Sequence, residues 1–136
     1  MSGRYLLDTH VFLRMADPDR RRPARTDDIL AESDSEIFLS VVSVAEAAIK
    51  SRLGKLYLPP QIEAAPAVGF RQAAAEAGFR WLPLEPEHAA MLHDLPLHHR
   101  DPFDRLLICQ AMAEELILVS DDRAFPLYSG LALLRS

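Results

Sequence analysis

The sequence is short of cysteine, of long apolar runs and of positive charge, and each shortage excludes something. Its single cysteine, Cys109, cannot form an internal disulfide, so a reducing compartment, the cytoplasm, is the expected location. No apolar stretch approaches the roughly 20 residues that cross a bilayer. The opening Met1-Ser2-Gly3-Arg4 lacks the basic segment and apolar core of a secretion signal. Neither secretion nor membrane attachment is expected. Lys and Arg number 15 against 20 Asp and Glu, a net charge of −5. That argues against holding nucleic acid by bulk positive charge, but not against a nucleic-acid enzyme whose acidic centre is neutralised by metal. Repeats, low-complexity tracts and linkers are absent as well. What is present is 136 residues, 49% of them hydrophobic. That is the size of one domain, expected to span 1–136, which buries roughly two-thirds of its unfolded surface and folds without disulfides or a structural metal.

Short apolar runs alternate with helical segments. Tyr5-Leu6-Leu7, Ile37-Phe38-Leu39, Phe79–Leu82 and Leu116–Val119 read as buried strands, with Leu131–Leu134 as a fifth. Between them, His10–Met15 reads as helical. Asp17–Arg25 reads as an exposed basic loop, and Thr26–Glu32 as a short helix capped by Thr26. Ser43–Leu53 is a helix stopped by Gly54. Gln61–Ala77 is Ala-rich, split by Pro66 and ended by Gly78. Pro86–Leu95 is helical. Asp101-Pro102 opens a helix to Glu115, with Asp at the cap and Pro in the first turn. Strands apolar on both faces and separated by helices imply an α/β fold with a parallel sheet covered on both sides. Ligands in such folds bind at the carboxyl ends of the strands.

The acids gather at that edge. Asp8 follows the first strand, and Ser120, Asp121 and Asp122 follow the fourth. Glu46 stands three residues after Ser43 and Asp104 three after Asp101, in the expected first turns of two helices. Oxygen ligands without thiolates suit Mg²⁺ or Mn²⁺, and a cation relieves the repulsion among packed carboxylates. Plainer readings exist. Ser43-x-x-Glu46 and Asp101-x-x-Asp104 resemble capping boxes, and Asp121-Asp122 suits a turn. Asp8 is harder to dismiss, because a carboxylate behind a buried strand is costly unless paired or metal-bound.

Four segments carry a specific resemblance. They are Leu7-Asp8-Thr9-His10-Val11-Phe12-Leu13; Ser40 to Lys50 followed by Gly54-Lys55-Leu56-Tyr57-Leu58-Pro59; His99-Arg100-Asp101-Pro102-Phe103-Asp104-Arg105-Leu106-Leu107-Ile108; and Leu118 to Phe125. In order and spacing they resemble PIN-domain ribonucleases, in particular the VapC-like toxins of toxin–antitoxin pairs. The resemblance implies a three-layer α/β/α sandwich with a parallel central sheet and metal-dependent RNA cleavage. It implies Asp8, Glu46, Asp104 and Asp122 as the catalytic and metal-binding acids, with Thr9 and Ser120 in support. Asp8 would be the central ligand, completed by Asp104 and Asp122. Glu46 would bind the metal directly, bind it through water, or orient the attacking water. An RNA substrate, a cognate antitoxin and a homodimer are implied as partners. His10 stands where many relatives carry Asn, Ser120 where Thr is more usual, and Asp121 is an additional acid. Asp101 is read as the helix cap, within reach of the site.

The remaining chemistry-bearing residues have plainer readings. The histidines read as surface or structural, and His10 as packing. Cys109 and Trp81 read as core. Arg20, Arg21, Arg22 and Arg25 read as a solvated loop or as contacts to RNA phosphates. Ile62, Val68 and Phe70 offer surplus apolar surface for a partner. Competing functions are a receiver-like module, an inactive PIN-like scaffold and a PIN-type nuclease acting on DNA. A receiver wants a phosphoacceptor Asp after its third strand, where this chain has Leu82-Pro83-Leu84. A haloacid-dehalogenase-type phosphatase wants Asp at the position of His10.

Overall fold

A computed structural model describes residues 3–136; Met1 and Ser2, which open the N-terminal segment considered above, lie outside them. The strands β1 (Arg4–Leu7), β2 (Glu36–Ser40), β3 (Arg80–Leu82), β4 (Ile117–Val119) and β5 (Leu133–Leu134) form one sheet. Their order is β3-β2-β1-β4-β5, and every pairing is parallel. The helices between them are α1 (Thr9–Ala16), α2 (Ala24–Ala31), α3 (Val41–Arg52), α4 (Pro60–Glu63), α5 (Pro66–Ala77), α6 (Pro86–Ala90) and α7 (Pro102–Ala113).

Successive strand residues face opposite sides of a sheet, and both sides here are covered. Leu7, Ile37, Leu39 and Val119 pack with Phe12 of α1 and Phe70 of α5. Leu6 and Leu118 pack on the other side with Leu107, Ile108 and Cys109 of α7. The result is the α/β/α sandwich expected from the sequence. Each such side chain, fully buried, contributes roughly 1.5–3 kcal/mol relative to exposure. Phe12 and Phe70 stack at 5.1 Å between ring centroids, and Ile62 and Phe70 are wholly buried. Of the three residues expected to present surplus apolar surface, only Val68 does so. Trp81 is half-buried against the first core.

Two glycines are needed for their backbones. Gly78 takes a left-handed φ of 76° at the end of α5, which costs a residue with a Cβ. A Cβ on Gly69 would lie 2.6 Å from Ile62 Cα, so α4 and α5 can pack this closely only with glycine there.

Several helix boundaries correct the sequence reading. α2 starts at Ala24 after Pro23, not at a Thr26 cap. Thr26 lies inside the helix, buried, its hydroxyl without a partner among the described residues. α3 starts at Val41, capped by the Ser40 hydroxyl, which accepts from Val42 N at 3.0 Å. Ser43 is therefore not a cap, and Glu46 stands in the second turn. Helix α6 is shorter than expected and passes into a 3₁₀ turn at Met91–His93. α7 ends at Ala113, before Glu115, whose φ is 55°. Asp17, expected in an exposed loop, is buried.

Candidate active site

Because the sheet is parallel, β1, β2 and β4 end at one edge, and the side chains that follow them meet there. Asp8 is the N-cap of α1. Its Oδ1 accepts from His10 N at 3.1 Å and its Oδ2 from the Ser120 hydroxyl. Ser120 Oγ in turn accepts from Asp122 N at 3.1 Å, so one hydroxyl ties the β1 acid to the loop after β4. Burial pushes the Asp8 carboxyl above its ordinary range and the charge of Glu46 adds to this, while the Ser120 and His10 bonds oppose it.

Glu46 is fully buried on α3. Its Oε1 accepts from Thr9 Oγ1 at 2.6 Å, and Thr9 Oγ1 lies 2.8 Å from Ser43 Oγ. A hydroxyl has one proton to donate, so with Thr9 donating to Glu46, Ser43 donates to Thr9. One turn on, Lys50 Nζ donates to Glu46 Oε2 and to Asp101 Oδ2, each at 2.5 Å. Burial works against the ammonium, yet these two carboxylates raise the Lys50 pKa above its ordinary value. Asp101 caps α7, accepting from Phe103 N at 2.9 Å. Burial opposes its ionisation, but Lys50 and the Phe103 amide hold its carboxyl below the usual range.

Asp104 is the least satisfied acid. Its Oδ2 lies 3.1 Å from His99 Nε2, while its Oδ1 is buried with no hydrogen-bond partner among the described residues. Burial, then the charges of Asp8, Glu46 and Asp101, push its pKa up to about 8 against the opposing effect of Lys50. Asp122 accepts from Ala124 N at 2.8 Å and faces His99 Nε2 at 3.0 Å. Asp121 turns away. It accepts from Ser136 N at 2.9 Å and from the Ser136 hydroxyl, and pairs with Arg14 at 3.2 Å. A cleft of about 220 Å³ beside the acids is lined by Asp8, His10, Val11, Arg14, Asp121 and Asp122.

Two sets of ligand atoms lie within 4.8 Å of one another: Glu46, Asp101 and Asp104, and His99, Asp104 and Asp122. Asp104, rather than Asp8, is shared by both. The residues fit a hard divalent cation. The Asp104 Oδ1 atom lacks a partner among the described residues, the donors are mainly carboxylate oxygens, and burial and the charges of Asp8, Glu46 and Asp101 oppose ionisation of Asp104.

The capping-box readings do not describe these contacts. The Asp101 N–H that Asp104 would satisfy donates instead to His99 Nδ1 at 3.1 Å, and Glu46 is too far into α3 to close a box. His10, expected to pack, is exposed. His88 is buried as a helix-capping group, accepting from Glu85 N at 3.0 Å and meeting Glu114 at 2.9 Å. Arg22 is held by Asp27 at 2.6 Å and reaches the Met15 carbonyl, whereas Arg20, Arg21 and Arg25 are exposed. Lys50 carries no functional reading in the sequence, and His99 reads there as surface or structural. Lys50 follows Glu46 at i,i+4, a helix-pair spacing visible in the sequence; no spacing marks His99.

A parallel α/β/α sandwich with acids converging at the carboxyl edge of its sheet defines the class. The chain belongs to the PIN-domain family, whose model matches residues 5–131. Among solved structures it is similar to a chain of VapBC2 from Rickettsia felis bound to a promoter DNA fragment, with TM-score 0.71, 16% identity and 98% of both chains covered. It is also similar to a chain of FitAcB from Neisseria gonorrhoeae, with TM-score 0.65, 23% identity, and 98% of this chain and 96% of that one covered. A chain of VapBC-5 from Mycobacterium tuberculosis, of a toxin–antitoxin family, gives TM-score 0.59 at 20% identity, with 98% and 97% covered. These likenesses establish the fold. No curated protein sequence matches the chain. No helix among the described residues is long and apolar enough to cross a membrane.

Proposed function

We propose that this chain is a Mg²⁺- or Mn²⁺-dependent endoribonuclease, the cytoplasmic toxin of a toxin–antitoxin pair, formed as one domain over residues 1–136. The observation that carries the reading is the buried, unpartnered Asp104 Oδ1 among acids that raise its pKa. Asp8, Asp104 and Asp122 would hold the cation, with Glu46 beside them. A bound divalent cation lowers the pKa of water and offsets charge on the phosphate as its P–O bond breaks. Glu46, fixed by Thr9 on one oxygen and Lys50 on the other, orients the attacking water. Ser120 holds Asp8 and the Asp122 backbone in register. In-line attack on the phosphodiester leaves a 3′-hydroxyl and a 5′-phosphate.

The split between Asp121 and Asp122 tests the reading. Asp122→Asn is expected to lose most RNA cleavage, whereas Asp121→Asn, which only loosens the Arg14 and Ser136 contacts, keeps most of it. The reverse ranking, measured with a labelled RNA and purified variants, would show that the site is misassigned.

Exposed apolar surface supports a protein partner. Val41, Ile49, Leu53 and Val68 are exposed, and a cleft of about 500 Å³ between α3 and α5 is lined by Val41, Val44, Ala48 and Trp81. We assign this apolar face to a homodimer. A cognate antitoxin silences the enzyme by placing a Lys or Arg among the acids, in competition with metal. Light scattering at micromolar concentration is expected to show a dimer; a monomer would contradict the assignment.

A further inference from the structure

We propose that His99 is a positioning residue and not a metal ligand: its Nε2–H is given to Asp122 with Asp104 close beside it, and this decides which carboxylate oxygens are left for a cation. By position alone His99 belongs with the ligands, since its Nε2 lies 3.1 Å from Asp104 Oδ2 and 3.0 Å from Asp122 Oδ2. The other ring nitrogen argues otherwise. Nδ1 accepts the backbone N–H of Asp101 at 3.1 Å, and a backbone amide can only donate. An imidazole that accepts at Nδ1 carries its proton on Nε2. A protonated nitrogen has no lone pair for a metal, but it has one hydrogen, directed to Asp122 Oδ2 with Asp104 Oδ2 at 3.1 Å beside it.

The ring is fixed from other directions as well. It packs, tilted, against Phe125 at 5.6 Å between centroids, and the His99 backbone N–H donates to the Tyr128 hydroxyl at 2.9 Å. Turning the ring to offer a lone pair would break the Asp101 bond that selects this tautomer. With the Oδ2 atoms of both acids turned to His99, and Asp122 Oδ1 accepting from Ala124, the remaining bare carboxylate oxygen of the pair is Asp104 Oδ1. His99 thus sets the spacing between the α7 acid and the acid of the loop after β4. It leaves a site of carboxylate oxygens, which suits Mg²⁺ and Mn²⁺ better than nitrogen-preferring metals.

The inference rests on the metal-site reading above, so the test uses Mn²⁺ alone, without RNA. Pulsed electron paramagnetic resonance on Mn²⁺-loaded wild-type protein is expected to show no directly bonded nitrogen. His99→Ala is expected to weaken Mn²⁺ binding within the roughly 10–100-fold range that loss of a supporting partner costs at metal sites. His99→Gln, which keeps an N–H donor, recovers most of that loss, and thermal unfolding of the metal-free variants monitors the fold. Bonded nitrogen in the wild type that disappears in His99→Ala overturns the inference; so does wild-type affinity in His99→Ala, or His99→Gln no better than His99→Ala. The spectrum is taken on wild-type protein and stands even where a variant fails to fold. A wild type that binds no Mn²⁺ overturns the metal site itself, a different result from nitrogen ligation.

Discussion

Replacing Asp104 with Asn is expected to abolish RNA cleavage and at the same time raise the melting temperature of the metal-free protein. Both effects come from one arrangement. The carboxyl is buried beside Asp8, Glu46 and Asp101, which oppose its ionisation. An amide of the same size removes the charge conflict without opening a cavity. For a domain of this size each kcal/mol so recovered is worth about 3–5 °C. The same change removes the unpartnered oxygen offered to a cation, so cleavage should fall by more than the roughly 10–100-fold cost of losing a supporting partner. Asp8→Asn should lose cleavage too but gain less stability, because Asp8 accepts hydrogen bonds on both oxygens. Calorimetry and a cleavage assay on the same preparations check both. Loss of activity accompanied by a lower melting temperature would mean that Asp104 serves the fold rather than the chemistry.

Metal binding is expected to release a proton and to strengthen as pH rises to about 8. Without a cation, Asp104 has its pKa pushed from an ordinary 3.8 to about 8, so at neutral pH it is largely protonated. A cation needs the carboxylate. Below pH 8 the apparent affinity should therefore fall about tenfold per pH unit for a single coupled proton. The sign for stability follows from the same shift. Between pH 3.8 and about 8 the folded, metal-free protein holds a proton that the unfolded chain releases. Its stability is then highest at the acid end of this window, as far as Asp104 is concerned, and declines as pH rises through it. Saturating Mg²⁺ should abolish the decline. Titration calorimetry in buffers of differing ionisation enthalpy counts the protons; a count of zero at pH 7 would contradict the coupling.

The parts of this arrangement legible in the sequence are those set by strand ends. Asp8 and Ser120 follow apolar runs too short to be helices, and a parallel sheet brings such positions to one edge whatever the loops do. Asp101-Pro102 is legible because a cap and a first-turn proline act locally. The start of α3 is not, since Ser40 and Ser43 both carry a capping hydroxyl, and which one caps depends on where β2 ends. Tertiary contact with Thr9 takes Ser43 out of competition. Thr26 misleads for the same reason: Pro23 starts α2 and leaves that hydroxyl inside. His99 is invisible because its role lies in contacts with Asp104, five residues on, and Asp122, across the sheet edge. Phe70 and Ile62 read as surplus from the Ala-rich composition around them, but the rest of that segment is small enough to let them reach the core.

If the proposed function holds, the convergent acids cleave RNA only with a divalent cation. Incubating purified wild-type protein with a labelled single-stranded RNA, first in EDTA and then with excess Mg²⁺ or Mn²⁺, tests it most directly. No cleavage in chelator and restored cleavage on adding metal, with Asp8→Asn inactive throughout, is the expected result. Cleavage at full rate in EDTA would contradict it.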